Sequence, residues 1–346
     1  MVDLSDRTSW QFAAGGRGRD YTDLLVDWDV IILGPGRHGP YEENRRAYQG
    51  HNAVVKFYED MDEGDLVVLR QGTSDVYAVG VIVGPPRYRD VFGDIDGWDL
   101  RHSRRMQWLW TYDGSPKSFD SYTFKWGGTL HEGIDSVVQE WIEDLNLEAN
   151  GNFEPRTLPD EPGDPITTQN IGRYLFDAGV DSNAINELVA EIDELNRIAN
   201  WYGRSEATPS EHETVSYLVI PLLRALGWTP QKMAVEWKNI DLALFASLPR
   251  KPEHLIGAVE AKQWGNSCLT ARSQAEQYAN EVAGDVCDRL VVTDGNRHGV
   301  FVRDDGTFPD RPDAYLNLAD PKDQYPIMES EGAQEALRLM SADVRK

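Results

Sequence analysis

The chain has 346 residues, 40% of them apolar, with eleven Trp and fourteen Tyr, which is enough for two packed domains and excludes a disordered chain. Its longest apolar stretch, around Val215 to Trp228, is interrupted by Pro221 and Arg224 and falls short of the roughly 20 residues that cross a bilayer. The net charge of −24 opposes a phosphate-bearing partner unless a local basic surface exists. Arg outnumbering Lys fits a salt-adapted cytoplasm, and simple solubility through self-repulsion fits equally.

The opening MVDLSDRTSW is acidic and lacks an apolar core, so no secretion signal is expected and the protein is placed in the cytoplasm. Residues 1–145 alternate short apolar runs with turn clusters, as β-rich folds do. Strands are predicted at Trp28 to Leu33, Leu66 to Leu69, Val76 to Val83 and Met106 to Thr111, with Glu63-Gly64-Asp65 and Gly84-Pro85-Pro86 as turns. Residues 132–145 have Ile134, Val137, Val138, Trp141 and Leu145 at helical spacing. Residues 146–168, rich in Asn, Gly, Pro and acids, mark a boundary. The segment 146–205 is expected to be a loop followed by a connecting helical pair. Its stripe of Ile185, Leu188, Val189, Ile192, Leu195 and Ile198 would pack onto the next domain or make a homodimer. In 206–346 helix, strands, helix and strand alternate in an α/β order, with a last helix from Gly332 to Met340. Cys268 and Cys287 give neither a disulfide framework nor a zinc site.

The chemistry-bearing residues fall in this last region. Thr208-Pro209-Ser210-Glu211 reads as a helix start with Thr208 as cap, and capping alone would account for Glu211. Pro221 should bend the helix, and Gly227 should end it. In Ile240-Asp241-Leu242-Ala243-Leu244-Phe245 a strand would put Asp241 on one face with Ala243 and Phe245. In Val259-Glu260-Ala261-Lys262 the period of two puts Glu260 and Lys262 together. A structural ion pair between neighbouring strands would explain this set. So would phosphodiester hydrolysis, in which Asp241 and Glu260 hold Mg²⁺, the Ala261 carbonyl adds a ligand, Glu211 binds through water and Lys262 positions the attacking water.

The ordered run EHETVSYLVIPLLRALGW, IDLALF, VEAK, QAEQYA and VVTDG resembles the PD-(D/E)xK nuclease domain found at the amino terminus of type I restriction motor subunits. The resemblance covers roughly 100 residues. It implies a restriction-endonuclease-like α/β domain with a central mixed sheet, and a Mg²⁺-dependent endodeoxyribonuclease activity in which Mn²⁺ substitutes. Glu211 matches the family's first-helix acid, Asp241 its sheet acid, and Glu260 with Lys262 its ExK pair. Ile240 stands where the family often has Pro. Gln274 and Tyr278 match the following Q-x-x-x-Y; their i, i+4 spacing shares one helix face, which would otherwise be merely solvated.

Upstream, Gly64 to Leu69, Val76 to Ile82, Gly97 to His102 and Trp108 to Trp110 resemble PUA-like modules of the EVE and YTH type, which implies a β barrel over 1–145 that holds an extruded modified base among aromatic rings. Trp10, Trp28, Trp98 and Trp108 are the pocket candidates, with packing in the core as the alternative for each. Arg17, Arg19, Arg101, Arg104 and Arg105 are candidate phosphate contacts. No Walker sequence appears, so no ATP use is expected. The expected whole is an α/β and α+β multidomain, modification-dependent nuclease acting on DNA in phage defence. A non-catalytic nucleic-acid-binding protein and an RNA-directed nuclease are the alternatives.

Overall fold

The computed structural model describes residues 7–16, 18–180, 182–204 and 208–342. The chain divides into two compact units, 1–161 and 162–346. The break falls inside the loop-rich stretch 146–168.

The first unit is built on a curled, mostly antiparallel sheet. Its strands are β1 (Ser9–Ala13), β2 (Val30–Leu33), β3 (Leu66–Gln71), β4 (Asp75–Ile82), β5 (His102–Thr111) and β6 (Leu130–Glu132). They lie in the order β6-β1-β3-β4-β5-β2, with β1 and β3 parallel. The two-residue strands Arg87–Tyr88 and Lys117–Ser118 pair with β5 and β4. Helices α1 (Thr22–Asp27), α2 (Asn52–Glu59) and α3 (Ser136–Asp144) accompany the sheet. At the entry to β3, Gly64 takes φ +93°, a conformation open to glycine at little cost. Val138 and Ile142 of α3 cover Leu66, Val68, Val79 and Val81, and each such buried side chain contributes roughly 1.5–3 kcal/mol.

The second unit begins with α4 (Thr168–Asp177) and α5 (Ser182–Arg204). Next comes α6, which is α-helical over Glu211–Thr214, π-helical over Val215–Val219 and α-helical again over Ile220–Ala225. Strands β7 (Met233–Trp237), β8 (Ile240–Phe245) and β9 (Leu255–Ala261), helix α7 (Arg272–Ala283), strands β10 (Arg289–Thr293), β11 (Arg297–Val302) and β12 (Ala314–Asn317) and helix α8 (Ala333–Met340) complete it. The sheet runs in chain order from β7 to β12, and the short strands Ser330–Glu331 and Gln324–Tyr325 extend it. Strands β9 and β10 are parallel and joined through α7; the other neighbours from β7 to β12 are antiparallel.

The apolar stripe of α5 is spent inside this unit. Ile185, Leu188, Ile192 and Leu195 share one core with Leu218 and Leu222 of α6, Leu242, Val259 and Val291 of the sheet, and Leu337 of α8. The helical pair is therefore a layer of the second unit and not a linker. The opposite sheet face packs Ala243, Phe245, Ala258 and Val292 against Ala275 and Ala279 of α7. Small residues on α7 let it lie close to the strands. Pro221 does not simply kink α6: it offers no N–H to the preceding turn, and the turn before it is widened to π geometry. Gly227, at φ +90°, ends the helix as expected.

Among the described residues no helix is long and apolar enough to cross a membrane.

Candidate functional site

The second unit brings the predicted acids and lysine to one end of the β8–β9 pair. Lys238 and Asn239, both at positive φ, make the tight turn that folds β7 onto β8 and fixes the register of Trp237 opposite Ile240. Leu242 pairs with Val259, which sets Asp241 opposite Glu260. Both carboxylates lie on the face covered by α7, where the residues two places away, Ala243 after Asp241 and Ala258 before Glu260, are core.

Asp241 finds the partner its apolar neighbours require: its Oδ2 accepts the Ala261 N–H at 2.8 Å. Lys262 leaves the strand with its backbone N–H donating to the Thr293 carbonyl at 2.7 Å. Its Nζ lies 3.3 Å from Glu260 Oε1 and donates to Gln274 Oε1 at 2.9 Å. Gln274 Nε2 in turn donates to the Tyr278 hydroxyl at 3.3 Å. The i, i+4 pair on α7 thus carries a chain of hydrogen bonds that ends on the lysine.

Glu260 is 3% exposed, and its Oε2 is buried with no hydrogen-bond partner among the described residues. Burial, and next the Asp241 charge, push its pKa up to about 7, against the opposing pull of Lys262. Two facing carboxylates, one with an orphaned oxygen, suit a hard cation that takes oxygen ligands. Among the described residues no three Asp, Glu, His or Cys side chains gather closely enough to hold an ion by themselves. A cation here would draw on Asp241, Glu260, a backbone carbonyl such as that of Ala261, and water.

Glu211 is exposed at the start of α6, near enough to Glu260 to raise its pKa slightly. The cap is Ser210 and not Thr208. Ser210 Oγ accepts the Glu213 N–H at 3.3 Å and the Glu213 carboxylate accepts the Ser210 N–H at 2.8 Å. Glu213 closes the capping box, so capping does not occupy the Glu211 carboxylate.

Asp294, in the turn after β10, escaped the sequence reading although VVTDG marks its position. It is fully buried and accepts the N–H groups of Gly265, Asn296 and Arg297, which ties the chain beyond Lys262 to the end of β10. Gly295 beside it has φ +87°, and a Cβ there would meet Leu218 at 2.5 Å.

The first unit treats the expected pocket residues unequally. Trp10 is wholly buried and donates to Asp65 Oδ2 at 2.8 Å; it is core and lines no open pocket. Trp28 is 4% exposed, with the Arg156 guanidinium 3.7 Å from its ring centroid. Trp108 is half-buried and donates to the Leu25 carbonyl at 3.1 Å. Trp98 is half-buried under the Arg19 guanidinium, 3.0 Å from its ring centroid, and its indole N–H is buried without a partner among the described residues. Arg104 is buried and donates to the carbonyls of Phe57, Gly84 and Met61, which removes it from the surface. Arg101 pairs with Asp90 and Asp99, Arg105 is half-buried, and Arg17 lies outside the described residues. Sequence reasoning also missed a cluster around buried His102, whose ring nitrogens meet Tyr58 at 3.0 Å, and Tyr48 and the Pro35 carbonyl, both at 3.1 Å. Burial holds this imidazole below its usual pKa.

A family described as a domain of unknown function (DUF8426) matches residues 37–129, within the first unit. No curated protein matches the chain.

Proposed function

We propose that the second unit is a metal-dependent nuclease of the PD-(D/E)xK kind and that the first unit reads a modified base, so that the whole is a modification-dependent DNA endonuclease of phage defence, working in the cytoplasm. The observation that carries the reading is the Glu260 carboxylate, buried with one oxygen unpartnered among the described residues, opposite Asp241 and beside an ammonium held by Gln274. A structural ion pair would satisfy both oxygens of a buried carboxylate, because an orphan is costly.

Asp241 and Glu260, with the Ala261 carbonyl and Glu211 through water, are the groups that would hold Mg²⁺ or Mn²⁺. The ion supplies charge neutralisation at the phosphodiester and an activated water. Lys262 supplies a fixed positive charge and proton donors, and Gln274 with Tyr278 keeps it aimed. ATP has no role. Trp28, Trp98 and Trp108, with Arg19 over Trp98 and with Arg101 and Arg105, are the aromatic and cationic groups left for base and phosphate in the first unit.

Cleavage of modified and plain duplex DNA, RNA and single strands in Mg²⁺, at low and high salt, tests this. Modified DNA alone should be cut, and Asp241→Ala and Lys262→Ala should lose cutting while retaining binding. Equal cutting of plain and modified DNA would defeat the reader assignment, and retained cleavage by the two variants would defeat the site. The lack of three clustered acids among the described residues favours one other reading, a nucleic-acid-binding protein without catalysis. Binding with no Mg²⁺-dependent cleavage on any substrate would establish it.

A further inference from the structure

Three arginines are linked through Arg105 in the first unit, one of them stacked on Trp28. Arg105 projects from β5 and donates to the Arg156 carbonyl. Arg156 lays its guanidinium over Trp28, and its backbone N–H donates to Asp29 Oδ2 at 2.9 Å. Arg89 follows the short strand Arg87–Tyr88, which pairs with β5, and stands close enough to Arg105 for their charges to repel. Burial lowers the Arg105 pKa most; Asp29 opposes that shift and Arg89 adds to it.

Two donors in this group are unmet. Arg105 Nη1 and Arg89 Nε are buried and have no hydrogen-bond partner among the described residues. Nearby Arg101 likewise has a buried Nε without a hydrogen bond among the described residues, but its charge is paired with Asp90 at 3.1 Å and Asp99 at 2.9 Å. The chain has 58 acidic residues against 34 Lys and Arg, so carboxylates were plentiful partners. Adjacent guanidinium groups with spare, buried N–H donors are what a tetrahedral oxyanion takes, since each fork can give it two parallel hydrogen bonds. Stacking on Trp28 holds one of the three forks in place.

We propose that Arg89, Arg105 and Arg156 form a cradle for a backbone phosphate of nucleic acid. The proposal rests on the nucleic-acid reading given above and extends it: a phosphate seated here would fix the register of the strand that the first unit reads.

The test is binding of a short DNA duplex to the full chain without divalent cation, across a salt series, with inorganic phosphate titrated separately and followed by thermal shift. Arg89→Gln and Arg105→Gln should each reduce the slope of log affinity against log salt by about 0.9, the loss of one phosphate contact. Arg45→Gln, whose charge is already paired with Glu42, should leave the slope unchanged, and Arg105→Lys keeps a charge if the glutamine variant fails to fold. Wild-type slopes in both Arg89→Gln and Arg105→Gln would overturn the cradle. If the wild type binds no nucleic acid, yet inorganic phosphate stabilises it and not the Arg89→Gln variant, the cradle stands and the nucleic-acid reading falls. No effect of phosphate on either protein would also overturn the cradle.

Discussion

Glu260 sits where a carboxylate is least comfortable, and that discomfort has a measurable sign. Its pKa rises from 4.5 to about 7 on folding, so between those values the folded chain binds more protons than the unfolded one. Stability is therefore lost as pH rises through that window. Glu260→Gln should leave thermal stability unchanged near pH 4 and raise it at pH 8, by about 3 kcal/mol for a shift of this size. A variant no more stable than wild type at pH 8 would show that the carboxylate is relieved by a partner. At this scale the sequence was informative about strands and weak about surroundings. The period of two was enough to set Glu260 and Lys262 together and Asp241 on a definite face. The state of Trp10 was not legible, because a tryptophan in a strand reads alike whether its indole N–H meets Asp65 or a ligand. The Glu211 cap was misassigned because Thr208-Pro209 and Ser210 both offer a start, and only the reach of Glu213 decides between them.

Among elements, α6 combines a strong start with a weak middle. Ser210→Ala removes the hydroxyl from the capping box and should cost about 1 kcal/mol in chemical denaturation. It should leave the proposed cleavage intact, since the box does not use Glu211. The π turn before Pro221 follows from a missing N–H, yet sequence alone does not say whether a helix bends, breaks or widens there. The direction of β10 was also hidden. An antiparallel neighbour of β9 would have needed only a short turn, whereas the parallel pairing required α7 as a crossover. The QAEQYA segment gave the helix, but only the fold shows that its Gln274 face turns toward Lys262.

Across the whole molecule the charge of −24 makes self-repulsion a general term in stability. Raising salt from low to molar concentration should raise the melting temperature, because screening relieves that repulsion; a flat or falling curve would show that attractive pairs dominate. The two units were legible from the loop-rich stretch 146–168. The α5 stripe reads as packing onto the following domain in preference to a dimer, but its place as a layer of that domain and not a linker was not legible, since an apolar stripe does not say how much of the surface it covers belongs to one core. The parallel crossover carries one more consequence. Asp241, Glu260, Lys262, Gln274 and Tyr278 all lie between the starts of β8 and β10, and the turn that steadies them follows directly on β10. Glu211 aside, the proposed chemistry is thus encoded as one uninterrupted cassette. On the function proposed above, exchange of everything before Pro162 would change what the chain recognises and leave that cassette whole, so recognition and reaction could be inherited separately.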